Sequence, residues 1–500
     1  MKLERFYKDT ILLTISNFAT GILKFIFSVI LSEKLGAEGV GLYQLIMPVY
    51  DLFCCLVCGG LTVAISRKVA ILSGKNDYSN VNSLIKISSF VCFIWSSIVA
   101  FGLFFNSKLI SNSFIKDMRS LYSIEIICPA LVFITISAIL KGYFYGISKA
   151  KVPAYIDILE KASRVAVVLA VISILMLKSI SSTVTAVYGV LSLGEFISLL
   201  ALYVAFLIYR RNLHPAYSPR ESSGQLVFDV FSVSLPLCVN SFVSSLLAAA
   251  STLILPVRLV HAGFLHSEAL SLIGKFSGMA LIVTSFPVVI IVAMSTVLIP
   301  EISQNLNKRD YYSIEKRVTQ VLKISFFIGT ITMIVSLSIP NLLGKLFFNR
   351  NDLGSYIAAS ALSVPVDYTS FATFSILSGL GKQNKLLINS LIVSIEQLIL
   401  LYILTGIRTI NIYGYAITLF LTCLTAYILN MKEIRKFCYI RFSYVDMFID
   451  TLLCILVYLV LSILNNILPN RFMLPKALFI IILGFGLFFF AISKIKDKLK

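Results

Sequence analysis

Apolar residues fall in runs of about twenty from one end of the chain to the other, with polar residues confined to short stretches between them. The first run, Ile11 to Leu31, follows the basic segment MKLERFYKDT. No small-residue cleavage site comes after it, so it reads as an uncleaved first membrane helix. Further runs lie at about 41–65, 84–105, 121–146, 153–177 and 183–209. A polar connection containing proline, Arg210 to Gln225, precedes runs at about 229–256, 271–299, 318–338, 355–379, 386–405 and 411–431. Two more, at about 444–466 and 473–493, bring the count to fourteen. The pattern predicts an all-α polytopic membrane protein with fourteen transmembrane helices.

Composition agrees, and charge adds an orientation. Of 500 residues 58% are hydrophobic and 13% charged, where a soluble domain has roughly 25% charged. The net charge of +19 would suit nucleic acid, but the basic residues sit in short loops between apolar runs. There they report orientation and contact with anionic membrane lipids, and no nucleic-acid partner is expected. Loops on alternate sides, beginning with Lys2, Arg5 and Lys8 and ending with Lys494 to Lys500, hold roughly 25 basic residues against roughly 11 opposite. Both termini are therefore expected in the cytoplasm, which requires an even number of spans, and fourteen fits. A multi-pass protein of the cell membrane is the expectation.

Several chemistries find no support. No Walker A loop, dinucleotide-binding glycine pattern or nucleophile–base pair occurs, and the longest loops, under about 25 residues, are too short to fold as an enzyme domain. The chain is not expected to be an enzyme or to hold a cofactor. Cys55 and Cys58 form a C-x-x-C, but on an apolar run without a second pair or a nearby histidine, so they read as buried apolar residues. His214, His261 and His266 lack ligand spacing. Neither a metal site nor a disulfide is expected.

The two halves look related. Ile139-Leu140-Lys141-Gly142 and its basic turn to Lys151 resemble Ile376-Leu377-Ser378-Gly379 and its turn to Lys385, each between a half's fourth and fifth spans. Glu160 and Glu396 follow at similar depths. A parallel repeat of this kind places two pseudo-symmetric six-helix lobes around a central cavity. The expected divisions are a first lobe at 1–210, a cytoplasmic connection at 211–228, a second lobe at 229–432 and two additional C-terminal spans at 433–500. Pro48, Pro129, Pro236, Pro287 and Pro365 each permit a kink, which suits lobes that rock.

Ionisable residues inside the runs are the candidates for function, because a charge at membrane depth needs a partner or water. Lys24, Asp51, Glu125 and Lys141 lie in the first, second and fourth spans, Asp157, Glu160, Lys161 and Arg164 in the fifth and Glu195 in the sixth. Arg258, Lys275, Asp367 and Glu396 are their counterparts in the second half. After Pro153 a helix should start, and on it Asp157, Glu160, Lys161 and Arg164 share one face. Asp157 with Lys161 and Glu160 with Arg164 are four apart and would neutralise each other if both pairs close. Lys141, Arg258 and Lys275 could instead snorkel from helix ends. Lys24 has no partner on its own helix; it either pairs with Asp51 or presents a cation to an anionic passenger.

The segments LGAEGVGLYQLIMPVYDL (Leu35 to Leu52), AISRKVA (Ala64 to Ala70), ILKGYFYGISK (Ile139 to Lys149), VSLPLCVNSF (Val233 to Phe242) and LIPEIS (Leu298 to Ser303) resemble the stage V sporulation protein B family. This is the polysaccharide-transporter branch of the multidrug/oligosaccharidyl-lipid/polysaccharide exporter superfamily, and it is related to lipid II flippases. The resemblance covers essentially the whole chain. It implies flipping or export of a lipid-linked glycan, a part in making spore-cortex peptidoglycan, and two lobes about a cavity. It also implies a headgroup contact for Lys24, a lysine where arginine is expected.

The leading expectation is a flippase for an anionic, undecaprenyl-pyrophosphate-linked glycan or peptidoglycan precursor. Its cavity candidates are Lys24, Asp51, Lys141, Asp157, Glu160, Lys161, Arg164, Arg258 and Lys275. Coupling to protons or sodium would fall to Asp51, Glu160 or Glu195. The alternatives are a cation-coupled multidrug antiporter on the same fold and a non-transporting scaffold for cell-wall synthesis enzymes. The topology is directly testable: a fluorescent protein fused after Lys500 is expected to fluoresce, and an alkaline phosphatase fused there to stay inactive. An active phosphatase would break the even count.

Overall fold

The computed structural model describes residues 2–175, 179–211, 221–438, 444–469 and 473–498. The described elements are all helical. In chain order the main helices are α1 (Lys2–Cys58), α2 (Leu61–Gly74), α3 (Tyr78–Phe105), α4 (Leu121–Gly146), α5 (Lys151–Leu175), α6 (Ile180–Arg211) and α7 (Ser223–His261). They continue as α8 (His266–Lys275), α9 (Val288–Asn307), α10 (Tyr311–Ser338), α11 (Pro340–Phe348), α12 (Gly354–Ala361) and α13 (Val364–Gly379). The last are α14 (Gln383–Leu404), α15 (Tyr413–Ile434), α16 (Tyr444–Ile467) and α17 (Met473–Lys498). Short helical turns fill the gaps after α3 and α8.

Ten helical stretches among the described residues are long and apolar enough to cross a membrane. α5 is long enough but too charged, since even its last 18 residues include Glu160, Lys161 and Arg164. α1 is two helices joined at Gly36, whose φ of 67° and ψ of −177° lie in a region essentially reserved for glycine. The break falls where the first two apolar runs were separated in the sequence.

The chain divides into two compact units, residues 1–27 with 42–253 and residues 28–41 with 254–500. In the first, α4 packs against α2, α3 and α6. Its core joins Ile65, Val69, Leu84, Tyr143, Phe144 and Phe206, with the Tyr143 and Phe206 rings edge to face at 4.9 Å. In the second, α13 packs against α9, α10 and α15 around Ile302, Val318, Tyr368, Ile376 and Ile434.

The same local devices recur in both units at one constant separation, 77 to 310, 146 to 379 and 149 to 382. Asp77 and Asp310 cap α3 and α10 by accepting the N–H of Asn80 and Ser313. Gly146 lets α4 approach Val69 and the Ser66 carbonyl on α2, as Gly379 lets α13 approach Ile302 and the Ile299 carbonyl on α9. Ser148 (φ 57°) and Gly381 (φ 71°) then end the two helices in left-handed residues. Lys149 and Lys382 donate their N–H back to Phe144 O and Leu377 O, closing Schellman turns. The equivalence therefore sets Gly146, not Gly142, opposite Gly379, one helical turn along from the register suggested by the sequence.

A Cβ at Gly146 would lie 2.6 Å from the Val69 Cβ, whereas one at Gly102 in α3 would meet nothing within 4 Å. Thermal unfolding in detergent should show Gly146→Ala destabilised by about 1–3 kcal/mol through overpacking, and Gly102→Ala unchanged or slightly stabilised. Equal behaviour of the two would refute the tight contact.

Candidate functional site

The ionisable groups of the first unit converge on α5. Pro153 lies in its first turn, where a missing N–H is harmless, and the charged face follows. From α4, Lys141 Nζ donates to Asp157 Oδ1 at 2.7 Å. Glu160, with a side chain 3% exposed, is the centre, ion-paired to both Lys161 and Arg164. From α6, Glu195 Oε1 lies 3.3 Å from Arg164 Nη2. Lys141, Lys161 and Arg164 thus balance Asp157, Glu160 and Glu195. Gly194 makes room for the network: a Cβ there would sit 2.9 Å from Glu160 Oε1 and 3.4 Å from Arg164 Nε.

Of the two same-helix pairs expected, Glu160–Arg164 forms. Asp157–Lys161 does not, because Asp157 reaches Lys141 across the tight turn and Lys161 turns to Glu160. Lys24 and Asp51, also in the first unit, are both exposed. Among the described residues no carboxylate lies within ion-pair distance of Lys24, although its charge acts on Asp51. Glu125 accepts a hydrogen bond from Ser107 Oγ at 3.3 Å.

The second unit gathers its candidates into no such network. The Arg258 guanidinium lies 4.2 Å over the Tyr402 ring, and its Nε donates to the Tyr402 carbonyl at 2.7 Å, capping the last turn of α14. Lys275 Nζ pairs with Asp352 Oδ2 at 2.8 Å. Asp352, in the loop between α11 and α12, is also gripped by Arg350, and these two cations hold its carboxyl well below the usual carboxylate range. Asp367 accepts from Cys423 Sγ at 3.5 Å and Glu396 from Thr425 Oγ1 at 3.0 Å.

One cluster was missed by sequence reasoning. Lys68 on α2 binds Glu221 Oε2 at 2.9 Å and Asp229 Oδ2 at 2.6 Å, while the Glu221 N–H donates to Asn80 Oδ1. These contacts fasten the start of α7 to α2 and α3. The only signal was a lysine in a motif already noted, with two acids some 150 to 160 residues away.

The all-helical fold, with ten stretches able to cross a membrane among the described residues, is shared with solved membrane transporters. The solved lipid II flippase MurJ, in an inward closed conformation, matches it with a TM-score of 0.74 at 16% identity, covering 98% of this chain and 99% of that one. An inward-facing multidrug resistance MATE family transporter of the MOP superfamily matches with a TM-score of 0.61 at 18% identity, covering 85% and 95%. The chain belongs to the polysaccharide biosynthesis protein family, which matches residues 6–306. Stage V sporulation protein B of Bacillus subtilis (strain 168) is 25% identical over 439 residues, 87% of this chain and 85% of that protein. Lipid II flippase MurJ of the same organism is 22% identical over 424 residues, covering 79% and 77%.

Removing one member of a buried ion pair strands the other, at about 3–5 kcal/mol. Glu160→Gln, which leaves both Lys161 and Arg164 short of a carboxylate, is expected to lower thermal stability by about that amount. Glu195→Gln should cost less, since Arg164 keeps Glu160. A Glu195→Gln loss as large as that of Glu160→Gln would contradict Glu160 as the centre.

Proposed function

We propose that this protein flips an undecaprenyl-pyrophosphate-linked glycan or peptidoglycan precursor across the cytoplasmic membrane by alternating access between two lobes. The observation that carries this reading is the contrast between Lys24 and the α5 network. Six ionisable groups there neutralise one another, whereas Lys24 is exposed on an apolar helix without an ion-pair partner among the described residues. An exposed cation at membrane depth must meet water or an anionic ligand. A pyrophosphate supplies the anion, and lysine meets it as a mobile point charge. The names of the relatives support this class of cargo: one is a lipid II flippase and another a sporulation protein. Service in spore-cortex synthesis fits the latter.

Orientation with both termini inside follows from the loop charges. A membrane potential would bias the cycle by about 2.3 kcal/mol for each charge moved through 100 mV. The competing antiporter reading needs a carboxylate open to a coupling proton or sodium ion. Glu160 and Glu195 are engaged with Arg164, which leaves Asp51 for that role.

Translocation of labelled lipid II in proteoliposomes tests the proposal. The parent is expected to flip it, and Lys24→Ala to slow flipping about tenfold or more, the worth of one hydrogen bond to a charged group. Movement of a cationic dye that requires Asp51, with lipid II immobile, would replace the flippase with the antiporter. Lipid II that stays put, with no dye transport, would leave the scaffold reading.

A further inference from the structure

The recurring Schellman turns place a lysine in the same setting in each unit. Lys149 Nζ lies 5.8 Å over the centroid of the Tyr209 ring at the end of α6, and Lys382 Nζ lies 4.7 Å over the Phe437 ring just past α15. All four residues are half-buried. Among the described residues neither lysine has a carboxylate within ion-pair distance. Each aromatic adjoins exposed basic residues, Arg210 and Arg211 in one unit and Arg435 and Lys436 in the other. The rings themselves pack against the two cores, Tyr209 also edge to face with Phe144 at 5.6 Å, but that packing does not require an ammonium over each ring. The surrounding residues differ between the units, Ser148 against Gly381 and Tyr209 against Phe437, while the cation on a ring remains.

We propose that Lys149 with Tyr209 and Lys382 with Phe437 are equivalent docking sites, one per unit, for the headgroup of an anionic phospholipid. The left-handed residue and the back-bonded lysine N–H fix where the side chain leaves the backbone. The ring face then holds the ammonium without neutralising it. Its N–H groups away from the ring remain to meet phosphate oxygens, and the neighbouring basic residues add charge of the same sign. By the loop charges both turns fall on the side expected to face the cytoplasm, whose inner-leaflet lipids carry the complementary charge. A phospholipid is favoured over the flipped precursor because one site occurs in each unit, and a lipid shell supplies many copies where a transport cycle carries one. The proposal does not depend on what is transported.

Native mass spectrometry of the full chain with phosphatidylglycerol reads the occupancy. The parent is expected to retain this lipid; Lys149→Gln and Lys382→Gln should each weaken retention about fivefold, and together more strongly. Lys34→Gln, which removes an exposed lysine outside both sites, should change little. Phosphatidylcholine retention should be the same in all variants, and unchanged thermal unfolding in neutral detergent would show that the variants fold. Equal phosphatidylglycerol retention by the parent and the double variant would overturn the proposal. So would a loss confined to undecaprenyl pyrophosphate, since the sites would then serve the precursor.

Discussion

The free-energy penalty for a charge inside a membrane constrains this molecule more than any other single factor. Six ionisable side chains of the first unit escape it together. Glu160, almost wholly buried, holds two cations, and Arg164 carries the link onward to Glu195 on α6. Lys141 closes a separate pair with Asp157 across the α4–α5 turn. The arrangement dictates backbone as well as side chains, since α6 must present a bare Gly194 to come within reach. Such a network adds little net stability over a well-packed apolar core, yet losing Glu160 strands the two cations it holds. It therefore fixes how α4, α5 and α6 meet.

Because these charges are spent on one another, they are poor ligands for a passenger. Arg258 is committed to the end of α14 and Lys275 to Asp352. Charge at membrane depth is therefore not by itself a sign of ligand contact; of the cavity candidates Lys24 is the cation with neither an ion pair nor a backbone carbonyl partner among the described residues. The repeat carries the same lesson for the rest of the structure. Cap, glycine contact and Schellman turn recur in both units, whereas the charge network belongs to the first.

The class and most of the helices were legible in the sequence, because a twenty-residue apolar run has few alternatives and the stretch around Gly36 visibly separates the first run from the second; the breaks inside the runs at 41–65, 271–299 and 355–379, after Cys58, Ser285 and Ala361, were not. The shared face of Asp157, Glu160, Lys161 and Arg164 was legible too, from helical periodicity. Its pairing was only half legible. Periodicity sees neighbours on one helix, and Lys141 reaches Asp157 from another. Gly194 was invisible, being one glycine in an apolar run whose importance lies entirely in what faces it. The Lys68 contacts required tertiary information altogether, with partners far along the chain. The repeat was recognised, but its register slipped by one turn because Gly142 and Gly146 both lie against α2.

The central claim is that paired charges build the first unit while Lys24 meets the anionic headgroup. Equilibrium binding of undecaprenyl pyrophosphate to the purified protein, measured with thermal stability on the same samples, tests it most directly. Lys24→Ala is expected to lose affinity and keep its stability, with Lys24→Arg retaining binding. Unchanged affinity in Lys24→Ala, with intact stability, would contradict it.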